Sequence, residues 1–296
     1  MASGQKGRST TNPVHVSLMS LIYPLGPAGS VNIGVADSAE LTQFLTRITA
    51  PSGPRKTAYA TLIDGLVADG LWTKLDCLWI IAAAAAATAR TNLKQSTYTL
   101  TAAGGVSFAT DLGYTPVTAT TDYLNTGYNP STAGGNLTLN SASMGVYVLT
   151  NDTAGDNASC EMGGAEPGAQ LMIQTGLFTS TWFAYGINDA GGNGAAGAGT
   201  SRGMWAVSRT AASGTDAKVG YRNGSSIITA TTVSSSIPNL PMFIGSYNNN
   251  GASNGGSPNP HQYAAAFIGG GLTGAEVTTL STRINAYMTT LGINVY

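Results

Sequence analysis

The spacing of apolar positions changes near residue 95. Upstream, Leu41, Phe44, Leu45 and Ile48 recur at i, i+3, i+4 and i+7, one stripe of a helix. Asp37 stands as its cap, with Glu40 three residues on as in a capping box. A second helix is expected over 55–69, with Tyr59, Leu62, Ile63, Leu66 and Val67 on one face and Gly70 as its stop. A third starts near Thr73 and runs through Leu75, Cys77, Leu78, Trp79 and the alanine run toward Leu93. Three short amphipathic helices cannot bury their stripes alone, so they must pack on each other, on the downstream domain, or on another subunit.

Downstream the pattern becomes strand-like. Short runs rich in Thr, Tyr, Val and Ile alternate with Gly, Asn and Ser turns. Strands are expected near 98–103, 106–110, 121–126, 137–150, 159–163, 170–176, 181–188, 203–209, 216–222, 226–233, 242–247 and 262–268. Such regular spacing predicts an antiparallel sandwich or barrel. Asn223-Gly224 is a two-residue hairpin signal. Segments 191–199 and 248–260 read as long loops rich in Gly, with Asn concentrated in the second. The chain closes with a helix capped by Thr273, boxed by Glu276 and stopped by Gly292. Residues 1–36 have no clean period, being broken by Gly4, Gly7, Pro13, Pro24, Gly26, Pro27 and Gly29. Three regions result: an extended arm (1–36), a helical anchoring region (37–94) and a sandwich with a C-terminal helix (95–296).

Composition narrows the function classes. Of 296 residues only 9% are charged, 39 are Gly, and hydrophobic content is 43%. That excludes a disordered chain and a coiled coil. A net charge of −1 excludes nucleic-acid attraction as the main activity. Near-zero charge gives poor colloidal protection, which suits a surface buried in an assembly. Residues 1–94 carry eight basic and five acidic side chains, and the remainder five and nine. Lys6 and Arg8 before the Val14–Leu25 stretch have the outline of a signal peptide, but Pro13, His15, Ser17, Ser20 and Pro24 weaken it. The apolar run 78–89 is too short to span a bilayer, so no membrane insertion is expected.

Several segments carry a resemblance. Gly203-Met-Trp-Ala-Val-Ser-Arg209, Val219-Gly-Tyr-Arg-Asn-Gly-Ser225, Pro241-Met-Phe-Ile-Gly245, Tyr263-Ala-Ala-Ala-Phe267 and Leu272-Thr-Gly-Ala-Glu-Val277 occur in that order. Together they resemble the second half of a laminin-G or concanavalin A-like jelly roll. Leu62-Ile-Asp-Gly-Leu66 and Leu71-Trp-Thr-Lys-Leu-Asp-Cys-Leu-Trp-Ile80 resemble phage and prophage virion proteins that join a helical lead to such a sandwich. Gly113-Tyr114 and Leu124-Asn-Thr-Gly-Tyr128 stand in matching contexts. The resemblance implies a mainly β jelly-roll fold and a non-enzymatic virion structural protein displayed on head or tail. Its implied partners are other virion proteins, further copies of itself and host surface glycan. A capsid decoration or tail-building protein without a ligand is the first alternative, and a glycan hydrolase the second.

Candidate chemistry is sparse. Glu161 and Glu166 are the glutamates of the sandwich body, but the alternating acidic strand of jelly-roll glycanases is absent, so they read as loop carboxylates and no catalytic residue is assigned. Gly199-Thr-Ser-Arg-Gly203 matches a nucleophile elbow but lacks its strand–turn–helix context. Gly269-Gly-Gly-Leu-Thr-Gly274 lacks the strand and acid that a dinucleotide site needs. No cofactor is expected. Asp152 and Asp156 offer at most a sparse calcium shell. Cys77 and Cys160 read as buried thiols. For glycan contact, Trp182, Tyr185 and Tyr247 are candidate stacking aromatics, and Asn248, Asn249, Asn250, Asn254 and His261 are candidate hydroxyl partners.

Overall fold

Ser38, not Asp37, caps the first helix. Its side chain accepts from the Leu41 amide at 3.1 Å, while Asp37 pairs with Lys56 at 2.6 Å. The computed structural model describes Met1 and residues 37–118, 121–153, 159–178, 181–191, 193–195, 199–254 and 260–296. The expected arm, save Met1, lies outside the described residues. Residues 37–296 form one unit.

Chain order begins with α1 (Ala39–Leu45), α2 (Gly53–Ala68), a 3-10 turn at Trp72–Lys74, β1 (Leu75–Ile80) and α3 (Ala86–Arg90). Short strands come next: β2 (Thr101–Ala103), β3 (Ser107–Ala109), β4 (Gly113–Thr115) and β5 (Tyr123–Asn125). Then come β6 (Ala142–Val148), β7 (Ser159–Glu166), β8 (Ala169–Phe178), β9 (Thr181–Asp189), β10 (Asn193–Ala195), β11 (Gly203–Arg209), β12 (Lys218–Arg222) and β13 (Ser225–Ala230). The last elements are β14 (Phe243–Ile244), β15 (Tyr247–Asn249), β16 (Ala252–Asn254), β17 (Tyr263–Gly269) and α4 (Gly274–Thr290).

Two sheets result. One runs β13-β12-β11-β6-β17-β4-β3, with β1 also on β17; the other runs β10-β9-β8-β7-β14-β5-β2. Their ladders are antiparallel except where β15 joins β7 in parallel. The fold is thus mainly β, an antiparallel sandwich. Trp79, Met144, Val146, Trp205, Val207 and Ile268 of the first sheet meet Leu171, Ile173, Phe183, Tyr185 and Ile187 of the second in one core. The other face of the first sheet carries α1, α2 and α4. Phe44, Tyr59, Leu62, Leu280, Ile284 and Tyr287 pack there on Tyr147, Met204 and Phe267. The architecture is therefore a helical layer on one sheet of a sandwich.

The expected third helix forms only in its last part, as α3. Leu75–Ile80 is a strand, buried at every position, and pairs with β17 from Leu75↔Gly269 to Ile80↔Ala265. A short apolar run shielded on both faces has no period that distinguishes strand from helix. The region 37–94 therefore contributes a strand to the sandwich. Segment 247–254, expected to be loop beyond Tyr247, forms the β15–β16 hairpin, turned by Asn250 (φ +52°) and Gly251 (φ +99°). The expected Asn223-Gly224 hairpin forms between β12 and β13, with φ of +53° and +79°. Cys77 and Cys160 are both free and buried. No helix among the described residues is long and apolar enough to cross a membrane.

Candidate functional site

The expected glycan residues separate. β9 alternates Phe183, Tyr185 and Ile187 into the core, so Tyr185 is wholly buried. Its ring lies 5.4 Å from that of Phe183 and its hydroxyl donates to the Lys218 carbonyl at 3.4 Å. It is a core residue, not a stacking platform. Trp182 belongs to β9, but its side chain lies outside the described ones. Asn248 is also interior: its amide nitrogen donates to the Pro241 carbonyl and its oxygen accepts from the Gly251 amide, both at 2.9 Å. That bonding shapes the hairpin turn rather than reaching outward. Asn249, Asn250 and Asn254 are exposed on the same hairpin, and Tyr247 is half-buried against Cys160, Ala165 and Met172.

His261 is buried and serves the interior. Its Nδ1 lies 2.9 Å and 3.1 Å from the two Glu161 carboxylate oxygens, and its Nε2 lies 3.5 Å from Asp152 Oδ2. Glu161 is no loop carboxylate. It sits at the bulge of β7 with no exposed surface, and takes hydrogen bonds from the Tyr263 hydroxyl at 2.8 Å and from Thr175. Burial alone would push the His261 pKa down, but the charge and hydrogen bonds of Glu161, with help from Asp152, raise it. Asp156 lies outside the described residues. Among the described residues no cluster of three or more His, Cys, Asp or Glu could hold a metal ion.

Glycosidase geometry is not met by the two sandwich glutamates. Glu166 accepts from the Asn239 amide at the far end of β7. Five residues of strand separate it from Glu161 by about 16 Å, against the ~5–9.5 Å that hydrolysis requires. Ser201 of the Gly-x-Ser-x-Gly match is buried, and its hydroxyl is committed to the Thr150 carbonyl and the Asp152 amide.

A cavity of about 200 Å³ opens instead beside Asp76, at the start of β1. The β1–β17 register shifts between Leu75 and Cys77, and this turns Asp76 out of the ladder. Asp76 is 4% exposed, and its carboxylate receives four donors. Asn136 supplies its backbone amide at 2.6 Å and side-chain amide at 2.9 Å, the Tyr128 hydroxyl donates at 2.9 Å, and the Leu137 amide at 3.0 Å. Gly135 is required here, since a Cβ would stand 2.4 Å from Asp76 Oδ1. Tyr98 packs edge-on to Tyr128 at 5.1 Å and forms the aromatic wall. Lys94 donates to the Trp72 carbonyl at 2.6 Å, and Gln95 to the Asp76 carbonyl at 2.8 Å. Burial lowers the Lys94 pKa and raises that of Tyr128.

Asp76 itself is saturated, so it orients its neighbours rather than contacting a ligand. Among the described residues, the side-chain oxygens of Gln95 and Asn136, further N–H bonds of Lys94 and the Tyr98 hydroxyl have no hydrogen-bond partner. An aromatic wall with planar amides and one cation suits a hydroxyl-rich ring: its C–H face lies on the tyrosine and its hydroxyls exchange hydrogen bonds with the rim. The sequence carries a signal for this site. Asp76 is a lone acid inside the apolar run from Leu75 to Ala89, and a buried polar residue is the informative exception in such a run.

No protein-family model matches the chain, and no curated protein matches it. Solved structures do. The botulinum neurotoxin serotype D binding domain aligns with a TM-score of 0.50 at 9% identity, over 71% of this chain and 51% of that one. Trypanosoma rangeli sialidase in complex with the inhibitor DANA gives 0.48 at 10% identity, over 76% and 38%. Domain 4 of AbnA, a GH43 extracellular arabinanase from Geobacillus stearothermophilus, in complex with arabinotriose, gives 0.43 at 15% identity, over 70% and 98%. This chain thus spans about half of the toxin domain it matches. At these identities the likeness concerns the fold alone, an antiparallel sandwich of the lectin-like, jelly-roll class.

Proposed function

We propose that this chain is a non-enzymatic glycan-binding module, carried as a structural component of a phage-like virion. The observation that supports glycan binding is the Asp76 cavity, where a saturated buried carboxylate fixes Tyr128 and Asn136 beside a tyrosine wall and unspent amide oxygens. Its size suits one sugar ring. The virion setting rests on the order of the sequence motifs and on a surface poor in charge. The absence of hydrolysis rests on Glu161 being sealed in the interior and Glu166 lying a strand's length away.

The test is retention of host surface polysaccharide by the purified chain, compared with Tyr98→Ala and Gln95→Ala. Wild type should hold polysaccharide without shortening it, and each variant should bind about tenfold more weakly, as the loss of one stacking or hydrogen-bonding contact implies. Equal binding by all three proteins would remove the cavity from the reading. Cleavage of the polysaccharide would overturn the non-enzymatic assignment.

A further inference from the structure

A larger cavity, of about 360 Å³, lies on the helix-bearing face of the first sheet, where β11, β12 and β13 run past the start of α4. Cross-strand register places Ser208, Val219 and Thr229 on one rung and Tyr221 with Ser226 on the next. Val219 and Leu272 form an apolar floor, and the Gly274 position leaves room beside the Tyr221 ring.

Two polar groups there have no hydrogen-bond partner among the described residues. Tyr221 is 4% exposed, and its hydroxyl opens on the cavity and makes no hydrogen bond among the described residues. Asp216, exposed and held at φ +60°, lines the same cavity and enters no ion pair or hydrogen bond among the described residues. The surrounding charges are already committed. Lys218 and Arg209 turn to the opposite face, where both bind Asp189, and Glu276 is taken by Lys74 and the Thr273 cap. The cavity therefore presents an exposed carboxylate at its rim, a phenol and the hydroxyls of Thr210, Ser226 and Thr229 over an apolar floor.

We infer that this cavity is a binding site for a saccharide bearing a free ammonium group. The ammonium pairs with Asp216, a ring hydroxyl accepts from or donates to Tyr221, and the C–H face of the ring lies on Val219 and Leu272. A plain amine would satisfy Asp216 but leave the phenol and the rim hydroxyls to water. A neutral sugar would forgo the charge-assisted hydrogen bond that an ammonium makes to Asp216. This site is separate from the Asp76 cavity and does not rest on the reading given to it.

The experiment titrates the full chain with D-glucosamine, N-acetylglucosamine, methyl glucoside and cadaverine, following backbone amide resonances. Glucosamine should bind and shift Gly220, Tyr221 and Gly274. Asp216→Asn and Tyr221→Phe should each weaken it by about tenfold. Both variants should fold, because Asn tolerates a positive φ and the lost hydroxyl bonds nothing in the fold. Three outcomes overturn the proposal: no glucosamine binding, equal binding of methyl glucoside or cadaverine, or shifts at Gln95 and Asn136 instead.

Discussion

Four neutral donors converge on Asp76, and removing their acceptor strands them. Asp76→Ala should leave the Tyr128 hydroxyl and the Asn136 and Leu137 amides unsatisfied at a largely buried spot. The expected loss is about 3 kcal/mol, read as a shift in the urea midpoint at constant slope. A loss below about 1 kcal/mol would mean that water replaces the carboxylate easily. His261 supplies a second test at this scale. Its pKa is raised in the folded state by Glu161 and Asp152. The folded chain therefore holds that proton more tightly than the unfolded chain does. The resulting stabilisation is complete below the unfolded value of about 6.5, and is lost as pH rises through the raised folded value. Thermal stability should fall across that window, and His261→Gln should flatten the fall. An unchanged profile in the variant would show that another group carries it.

Elements with a local signal are legible in the sequence, and those defined only by their neighbours are not. Thr273 and Glu276 form the capping box of α4, with the Thr273 side chain accepting from the Glu276 amide at 3.3 Å. Thr273→Ala should cost about 1 kcal/mol, checked by thermal unfolding. The Asn223-Gly224 turn, the α4 stripe and Tyr59, Leu62, Ile63 and Leu66 of α2 are likewise written in turn chemistry and period, whereas Val67, expected on the same face, is exposed. β1 is not, because a fully buried run shows no alternation and its strand state depends on β17, nearly two hundred residues downstream. The β15–β16 hairpin has a turn signal, since Asn250-Gly251 matches Asn223-Gly224, but its strands are too short and polar to show as strands. Tyr185 fails as a stacking candidate for a related reason. Alternation along β9 says that Tyr185 and Phe183 share a face, but only the second sheet says which face is inside. The Asp76 cavity is hidden because its rim is assembled from β1, segment 94–98 and segment 128–136, which no sequence spacing relates.

At the scale of the molecule, the question is whether the helical lead is separable from the sandwich. Its packing says that it is not. α1 and α2 come from one end of residues 37–296 and α4 from the other, yet they share one cluster on the face of the first sheet. Phe44 meets Tyr59 at 4.9 Å, Tyr59 meets Tyr287 at 5.1 Å, and Arg283 of α4 binds Asp69, the residue that ends α2, at 2.8 Å. β1 is paired along most of β17. Removing residues 37–94 would strip that strand partner and uncover Phe267, Ile284 and Tyr287, each now buried. Burying a side chain of that size contributes about 1.5–3 kcal/mol, so losing these three burials, about 5–9 kcal/mol, is comparable to the whole stability of a typical domain. A fragment of residues 37–296 should therefore stay soluble and unfold in one step. Its helical far-ultraviolet signal and its tryptophan fluorescence should lose amplitude at the same temperature. A fragment of residues 95–296 should not reach a native near-ultraviolet spectrum. If the longer fragment instead melted in two steps, helices first, or if the shorter one folded, the helices would be an appended layer and the sandwich a domain in its own right.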